Sequence, residues 1–403
     1  MPQTMASLDP VLKEVYVGTL NDQLENETRA VNRVAKSGQG VGTYESGGKY
    51  VNFPIHTSRN SGIGARSEGE ALPTAGFQGT KEATLGLKYQ YGSIELNGQT
   101  FELATSKYQT FANAVDLEME KVREDLSKDR SRQYFGSGLG TIGTVVSVSG
   151  QVITVDNAWH FQDEEIVDIM TGATSTIRQA AIKVTTADID ANTVTVVGTL
   201  TGVAAGDIIV RKGSYNREWT GLSAIIDNSS TLYGIAPSTT RVWKAEVNTQ
   251  GGTDTALSEA TFARMADRIY RNGGKVTAIL TTLGVQRAYW LLLSQQRRVV
   301  NTKNFGGGWD TLAFTTGTGG DVPIIADVDA PKKTAYFVNE KQIQLYRPHG
   351  FKFMDRDGSM WKQKVDTNGV YDAYRASLYE YSELGTFRRN THGKVTNIIE
   401  DIT

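Results

Sequence analysis

Three stretches decide how this chain folds: KYVNFPIH (49–56), its return KEATLGLKYQYG (81–92), and TSKYQTFANAVDLEMEKVREDLSKDRSRQYF (105–135). The first two read as strands and the third as one long helix. On the way out, Val51, Phe53 and Ile55 alternate onto one face. On the way back, Ala83, Leu85, Leu87, Tyr89 and Tyr91 do the same. Between them, Ser58 to Phe77 is rich in Gly, Ser, Arg and Glu and has no periodicity. Thirteen of the 42 glycines lie between Gly38 and Gly98, about twice an even share. The pattern predicts a very long hairpin with an irregular tip. A lone two-stranded hairpin is marginal in water. A projecting one needs a surface to lie on, and the expected surface is the next copy of the chain.

The helix carries its own signal. Tyr108, Phe111, Val115, Met119, Val122 and Leu126 are spaced by threes and fours and share one face. Glu118, Glu120, Lys121, Arg123, Glu124, Asp125, Lys128 and Asp129 occupy the other. Thr105 or Ser106 suits the N-cap, and Gly136 and Gly138 end the run. Such a helix is roughly 45 Å long, which suits a spine.

The flanking segments are less uniform. Asp9 and Pro10 open a ragged apolar helix through Val11, Leu12, Val15, Tyr16, Leu20 and Leu24. From Leu139 to Ser214, Thr, Val and Ile dominate and aromatics nearly vanish. Val145–Val148 and Val152–Val155 flank a Gly150-Gln151 turn. Further strands are expected at 165–170, 176–184, 193–197 and 207–211. Six short strands at regular spacing predict a small antiparallel barrel. The composition shifts abruptly at both ends, which favours an inserted domain over strands of the main sheet. Beyond it, Leu257–Arg271 reads as a helix capped by Ser258 with Phe262, Met265, Ala266 and Ile269 inward. A strand follows at Val276–Leu280, a helix at Thr282–Leu293, loops at Phe305–Trp309 and Thr315–Gly320, and strands at Val322–Ala326 and Ala335–Val338. Strands return at Gln342–Tyr346, Gly350–Met354 and Val370–Gly385.

Taken together, Lys49–Ile55 with Lys81–Tyr91, Ser106–Phe135, Ala256–Arg271 with Val276–Gln295, and Gln342–Phe387 resemble, in order, the parts of the major capsid protein of tailed bacteriophages. The resemblance rests on architecture and not on a short motif. It implies an α+β chain with the Hong Kong 97-like fold: extended loop, spine helix, central α/β domain, and here an inserted small β-barrel. The expected divisions are an N-terminal arm (1–40), the extended loop (41–100), a peripheral domain with the spine helix (101–138), the barrel (139–216), a central axial domain (217–340) and return strands of both domains (341–403).

By the same resemblance the chain is a structural subunit, not an enzyme. It self-assembles as hexamers and pentamers into an icosahedral head shell around a double-stranded DNA genome, bound without sequence specificity. It resides in the virion and is assembled in the host cytoplasm. Scaffolding, portal and decoration proteins are expected as separate partners. An encapsulin-like compartment shell shares the fold and stays open as an alternative. A soluble α+β enzyme is a more distant one. Loops around 301–320 are expected near the fivefold and sixfold axes. The Asp355-Arg356-Asp357 turn is expected near a threefold contact, though a solvated turn fits it equally. The polar tip of the hairpin gains little from burial on its own chain. Arg59, Arg66, Glu68 and Glu70 are therefore the expected inter-subunit contacts there.

Composition sets limits without naming a function. The chain has 403 residues, a formal charge of −2 and no cysteine. Its length suits two or three modules. Near-neutrality does not call for nucleic acid or an anionic membrane as a bulk partner. Disulfides and thiolate chemistry are excluded. No apolar run approaches the ~20 residues of a membrane span, and Met1 to Asp9 lacks a signal-peptide pattern. His56, His160, His349 and His392 show no ligand spacing. Gly47-Gly48-Lys49, Gly274-Lys275 and Gly393-Lys394 lack the rest of a phosphate loop. Asp355–Ser359 begins like a calcium loop, but Met360 stands where the turn demands glycine. No cofactor is expected. Arg297-Arg298, Lys332-Lys333 and Arg388-Arg389 read as isolated basic pairs. Lys49, Lys81 and Lys88 lie in the loop that cross-links in some family members, but no reactive partner is evident.

Overall fold

The computed structural model describes residues 30–31, 50–99, 109–172, 176–296, 313–316, 320–355, 358–367 and 369–401. All of the N-terminal arm but Ala30 and Val31, the Thr105 or Ser106 cap, and most of the expected axial loops lie outside them. The chain divides into two compact units, cut within the long helix. One contains Leu87–Ser131 and Gln344–Glu383. The other contains Tyr50–Gly86, Arg132–Ile343 and Leu384–Thr403.

In the first unit, β3 (Lys88–Asn97) and β18 (Gly369–Thr386) pair antiparallel over ten residues, from Lys88↔Ser382 to Asn97↔Ala373. Strands β15 (Ile343–Tyr346), β16 (Lys352–Phe353) and β17 (Lys362–Asp366) also pair with β18. Helix α1 spans Gln109–Phe135. Its Val122 and Leu126 press on β3 at Gly92, where a Cβ would lie 2.8 Å from each. Only glycine lets helix and sheet approach that closely. On the outer side, Lys121 and Lys128 bind Glu124 at 2.5 and 2.7 Å.

The return arm of the hairpin differs from the sequence reading. Alternation does not run unbroken from Ala83 to Tyr91. In β2 (Gly79–Gly86) the odd residues Ala83 and Leu85 are buried. In β3 the buried residues are the even ones, Gln90, Ile94 and Leu96, while Tyr89 and Tyr91 are 58% and 53% exposed. The chain changes face at Leu87, between the two strands. A one-residue change of phase moves every side chain to the opposite face.

In the second unit, β1 (Tyr50–Ser58) pairs antiparallel with β2 in register from Tyr50↔Gly86 to His56↔Thr80, with a shift before Ser58↔Gly79. The buried face of this hairpin does not wait for a second copy. Phe53 meets Phe387 at 5.1 Å and Tyr233 at 6.1 Å, both edge-on. The Thr84 N–H donates to Tyr233 O at 3.1 Å, and Lys81 Nζ to Thr240 Oγ1 at 2.7 Å. The chain itself supplies the surface on which the base of the hairpin lies.

Six strands then close a barrel in the order β4-β5-β8-β7-β6-β9: Thr141–Ser149, Val152–Val155, Thr193–Val196, Ile177–Asp188, Ile166–Met170 and Ile208–Arg211. The inward alternation of Val145, Ile153, Val155, Val167, Ile169, Val184, Val194, Val196 and Ile209 makes a dry aliphatic core. Gly150 turns with φ +63°, as the Gly-Gln hairpin signal requires. Phe161 fills one end, against Gly143, where a Cβ would stand 2.7 Å from the ring.

The remaining sheet has the order β10-β19-β14-β11-β13-β12: Glu246–Asn248, Gly393–Val395, Ala335–Val338, Ala278–Thr281, Gly320–Ala326 and Ala313–Thr316. Helix α2 is the short Leu222–Ile225; α3 (Glu259–Arg271) and α4 (Leu283–Gln296) belong to this unit. Ser258 Oγ accepts the Thr261 N–H, as a cap should. Phe262 packs on Phe337 at 5.2 Å and on Tyr289 at 5.6 Å. The expected Thr315–Gly320 loop is in part a strand pair, because Phe314 is buried in that core.

Candidate contact surfaces

The hairpin tip is a narrow loop whose two arms nearly touch. A Cβ on Gly62 would lie 2.8 Å from Gly76 N, and one on Gly76 would lie 2.4 Å from Asn60 Oδ1. Asn60 Oδ1 accepts the Gly62 N–H at 2.7 Å. The expected contact residues split into two groups here. Arg66 folds back on its own loop, donating to Ala71 O at 2.9 Å and Ala65 O at 3.0 Å. Glu70 accepts the Ser67 N–H at 3.1 Å and closes a turn. Arg59 and Glu68 are exposed and make no bond among the described residues.

Apolar side chains stand out more than the charges at this tip. Ile63, Leu72 and Phe77 are 82%, 85% and 85% exposed. The sequence reading overlooked them because they are single residues in a polar stretch with no periodicity. Large apolar groups that no described residue covers are what a contact surface needs.

A second surface lies on the first unit's sheet. One face of β3 and β18 carries Gln90, Gly92, Ile94 and Leu96, and α1 packs there. The other carries a ladder of aromatics. Tyr89 meets Tyr381 edge-on at 4.9 Å, Tyr379 and Tyr381 are 5.1 Å apart, and His349 sits 5.1 Å from Tyr379. Farther along, Glu95 binds Lys364 at 2.6 Å and lies 3.6 Å from Arg375. Asp355 is exposed just after β16, while Arg356 and Asp357 lie outside the described residues.

Two buried polar knots lie within the second unit. At the root of the barrel, Arg132 in the last turn of α1 donates to Glu218 Oε1 at 2.6 Å and to Thr141 O at 3.1 Å. Thr141 is where the chain enters the barrel, and Glu218 follows its exit. The Asn216 N–H donates to Leu139 O at 3.0 Å between the two passages. On the barrel's other flank, Lys332 donates to Asp156 O at 3.2 Å, and His160 Nδ1 lies 3.7 Å from Asp329.

The second knot splits the basic pair Arg388-Arg389, with Arg388 exposed and Arg389 inside. Arg389 is fully buried. It donates to the carbonyls of Ile225, Ala224 and Ser230 at 2.9, 3.0 and 2.7 Å. These include carbonyls at the end of α2, where a cation is favoured. Burial lowers the pKa of Arg389 and of nearby Lys394, and Asp227 opposes this in both. Burial alone would raise Asp227. Bonds from Ser230 and Ser229 outweigh it and hold the carboxyl well below the usual range. No signal in a bare Arg-Arg pair distinguishes a buried guanidinium from a solvated one.

Among the described residues, no three His, Asp or Glu side chains are grouped to hold a metal ion. No described helix is long and apolar enough to cross a membrane.

Comparison with known proteins bears on the whole arrangement. The model of the SU10 major capsid protein family matches residues 146–398. A chain of the Cyanophage A-1(L) capsid asymmetric unit is similar in fold, with a TM-score of 0.59 at 13% identity over 96% of each chain. The holo-SrpI encapsulin complex of Synechococcus elongatus gives 0.45 at 9% identity, over 99% of this chain and 96% of that one. Mycobacterium phage Bobi gives 0.43 at 10% identity over 98% of each. The last two likenesses are too loose to separate one kind of shell from another. No curated protein matches the sequence.

Proposed function

The chain belongs to the SU10 major capsid protein family, and from that membership we infer how it builds its shell. It is a shell-forming structural subunit with the Hong Kong 97-like fold, located in the virion capsid. In our reading the shell is an icosahedral phage head of hexamers and pentamers, enclosing double-stranded DNA and assembled in the host cytoplasm. Scaffolding, portal and decoration proteins act as separate chains. The subunit contributes no catalysis. The barrel, 139–216, is an inserted domain between the spine helix and a central domain, 217–340.

The observation that carries the contact model is the exposure of Ile63, Leu72 and Phe77 at the tip. Burying each on a neighbouring subunit would contribute about 2 kcal/mol, repeated at every subunit. Arg59 and Glu68 add charge pairs at the rim, each worth about 0–1 kcal/mol. Glu70 and Arg66 shape the loop instead. Asp355, Arg356 and Asp357 form a second contact, near a threefold axis.

The test is a Leu72→Glu, Phe77→Glu variant, followed by size exclusion and electron micrographs. We expect a folded chain that fails to form closed particles. Wild-type yields of particles would overturn the tip contact. Particles purified from their native source separate the phage head from a compartment: portal and tail proteins support the head, and enzyme cargo supports an encapsulin-like shell.

A further inference from the structure

We propose that the outward face of α3 is a docking surface for the phosphate backbone of duplex nucleic acid. Arg264, Arg268 and Arg271 follow one another at i, i+4 and i+7, so they share the face opposite the buried Phe262, Met265, Ala266 and Ile269. All three are exposed, and none makes an ion pair among the described residues. Lys275, also exposed, follows the helix end. Arg388 is exposed and donates to Gly273 O at 3.4 Å, which places a fifth cation beside that end. The one carboxylate on the same helix face is Asp267. Glu246, next to the helix end, already accepts from Asn272 Nδ2 at 2.9 Å. Tyr270 stands 59% exposed beside the stripe.

A structural role accounts for only part of this set. Cations in the last turn stabilise a helix C-terminus, which would explain Arg268 and Arg271. Arg264 lies two turns from the end, and Lys275 and Arg388 lie outside the helix. Along the axis, Arg264 to Arg271 covers about 10 Å. Phosphates on one strand of a duplex advance about 3.4 Å each. The three arginines therefore face about three phosphates, and the two flanking cations reach one or two more.

The alternative partner is an acidic stripe on a second copy of the chain. The described residues do not offer one. The longest acidic run, Asp163-Glu164-Glu165, is already engaged: Glu164 with Lys183, Glu165 with Arg211, and Asp163 with the Ala187 N–H. On α1, Glu118, Asp125 and Asp129 share a face, but Glu118 and Asp129 already have partners, and Glu124 is held by Lys121 and Lys128. A near-neutral total charge conceals the stripe, because acids elsewhere cancel it.

This inference deepens the genome-enclosing reading, on which it rests for its biological sense; the binding itself is tested independently. The full chain is titrated against a fluorescein-labelled 30-base-pair duplex of mixed sequence at several KCl concentrations. Wild type should bind with log Kd rising against log salt with a slope of about 3.6–4.5, from four or five phosphates neutralised. Arg264→Gln with Arg268→Gln and Arg271→Gln should weaken binding and lower the slope by about 2.7. A control, Lys212→Gln with Lys244→Gln, should leave the slope nearly unchanged. If the triple variant loses helix signal, the single variants carry the test, each lowering the slope by about 0.9.

An unchanged slope and affinity in the triple variant, or no duplex binding by wild type at low salt, overturns the proposal. So does a triple variant that binds duplex normally but fails to assemble, which would make this face a contact between copies. If wild type never forms particles but its duplex affinity falls on substitution, the shell reading fails and this one stands.

Discussion

His392 Nδ1 accepts the backbone N–H of Asn339 at 3.2 Å, so that nitrogen carries no proton. Nε2 therefore holds it and donates to Thr386 Oγ1 at 3.1 Å. The ring is completely buried, and burial pushes its pKa down to about 3. In the unfolded chain it would titrate near 6.5.

The sign of the pH dependence follows. Below about 6.5 the unfolded chain gains a proton that the folded chain refuses. His392 stabilises the fold fully above that pH and progressively less as pH falls toward 3. The loss should be about 1.4 kcal/mol per pH unit once below 6. Urea unfolding at pH 7.5, 6 and 5 measures it. His392→Asn should be less stable at pH 7.5 and flatter with pH. An equally steep dependence in the variant would assign the acid sensitivity to other groups.

Substituting Arg132 by Ala leaves Glu218 buried without its cation. The expected cost is about 3–5 kcal/mol, read as a lower thermal midpoint. Arg132→Met with Glu218→Leu should recover most of it, since paired apolar groups can replace a buried ion pair. Failure of the double variant to recover would mean that the bond to Thr141 O matters more than the charge pair.

Gly143→Ala should drive a methyl into the Phe161 ring and destabilise by about 1–3 kcal/mol. Adding Phe161→Leu should restore part of that loss. If the two substitutions simply add in differential scanning calorimetry, the close approach is not what Gly143 serves.

Phe53→Ala removes the ring wedged between Phe387 and Tyr233. A cost of about 3 kcal/mol is expected, confined largely to the hairpin. Hydrogen exchange should quicken in Val51–Ile55 and Ala83–Leu85 while Ala278–Thr281 stays protected. Uniform loss of protection would show that the hairpin and the sheet unfold as one body.

Much of this fold was legible before any coordinates. Regular alternation and turn glycines gave away the barrel strands, because a period of two and a Gly150 turn are local properties. Ser258 and the spacing of Phe262, Met265 and Ile269 did the same for α3. The change of face at Leu87 was not legible, since both alternations look alike until each strand's partner is known. Arg389 and His392 were missed because their burial depends on chain segments more than 50 residues away. The arginine triplet of α3 is legible at helical spacing, but nothing in the sequence says that its face is left uncovered. At the tip, charged and polar residues dominate the sequence. The three apolar residues became visible only through their exposure.

The root of the barrel has a mechanical consequence. Leu139 and Asn216 bring the incoming and outgoing strands side by side, and Arg132 holds both passages to the helix end. A pull applied to the rest of the subunit enters and leaves the barrel at the same point. Tension is then shunted across the clamp, and the barrel hangs beside the line of force unstretched. A subunit so wired can be strained without its barrel unravelling, until Arg132 lets go.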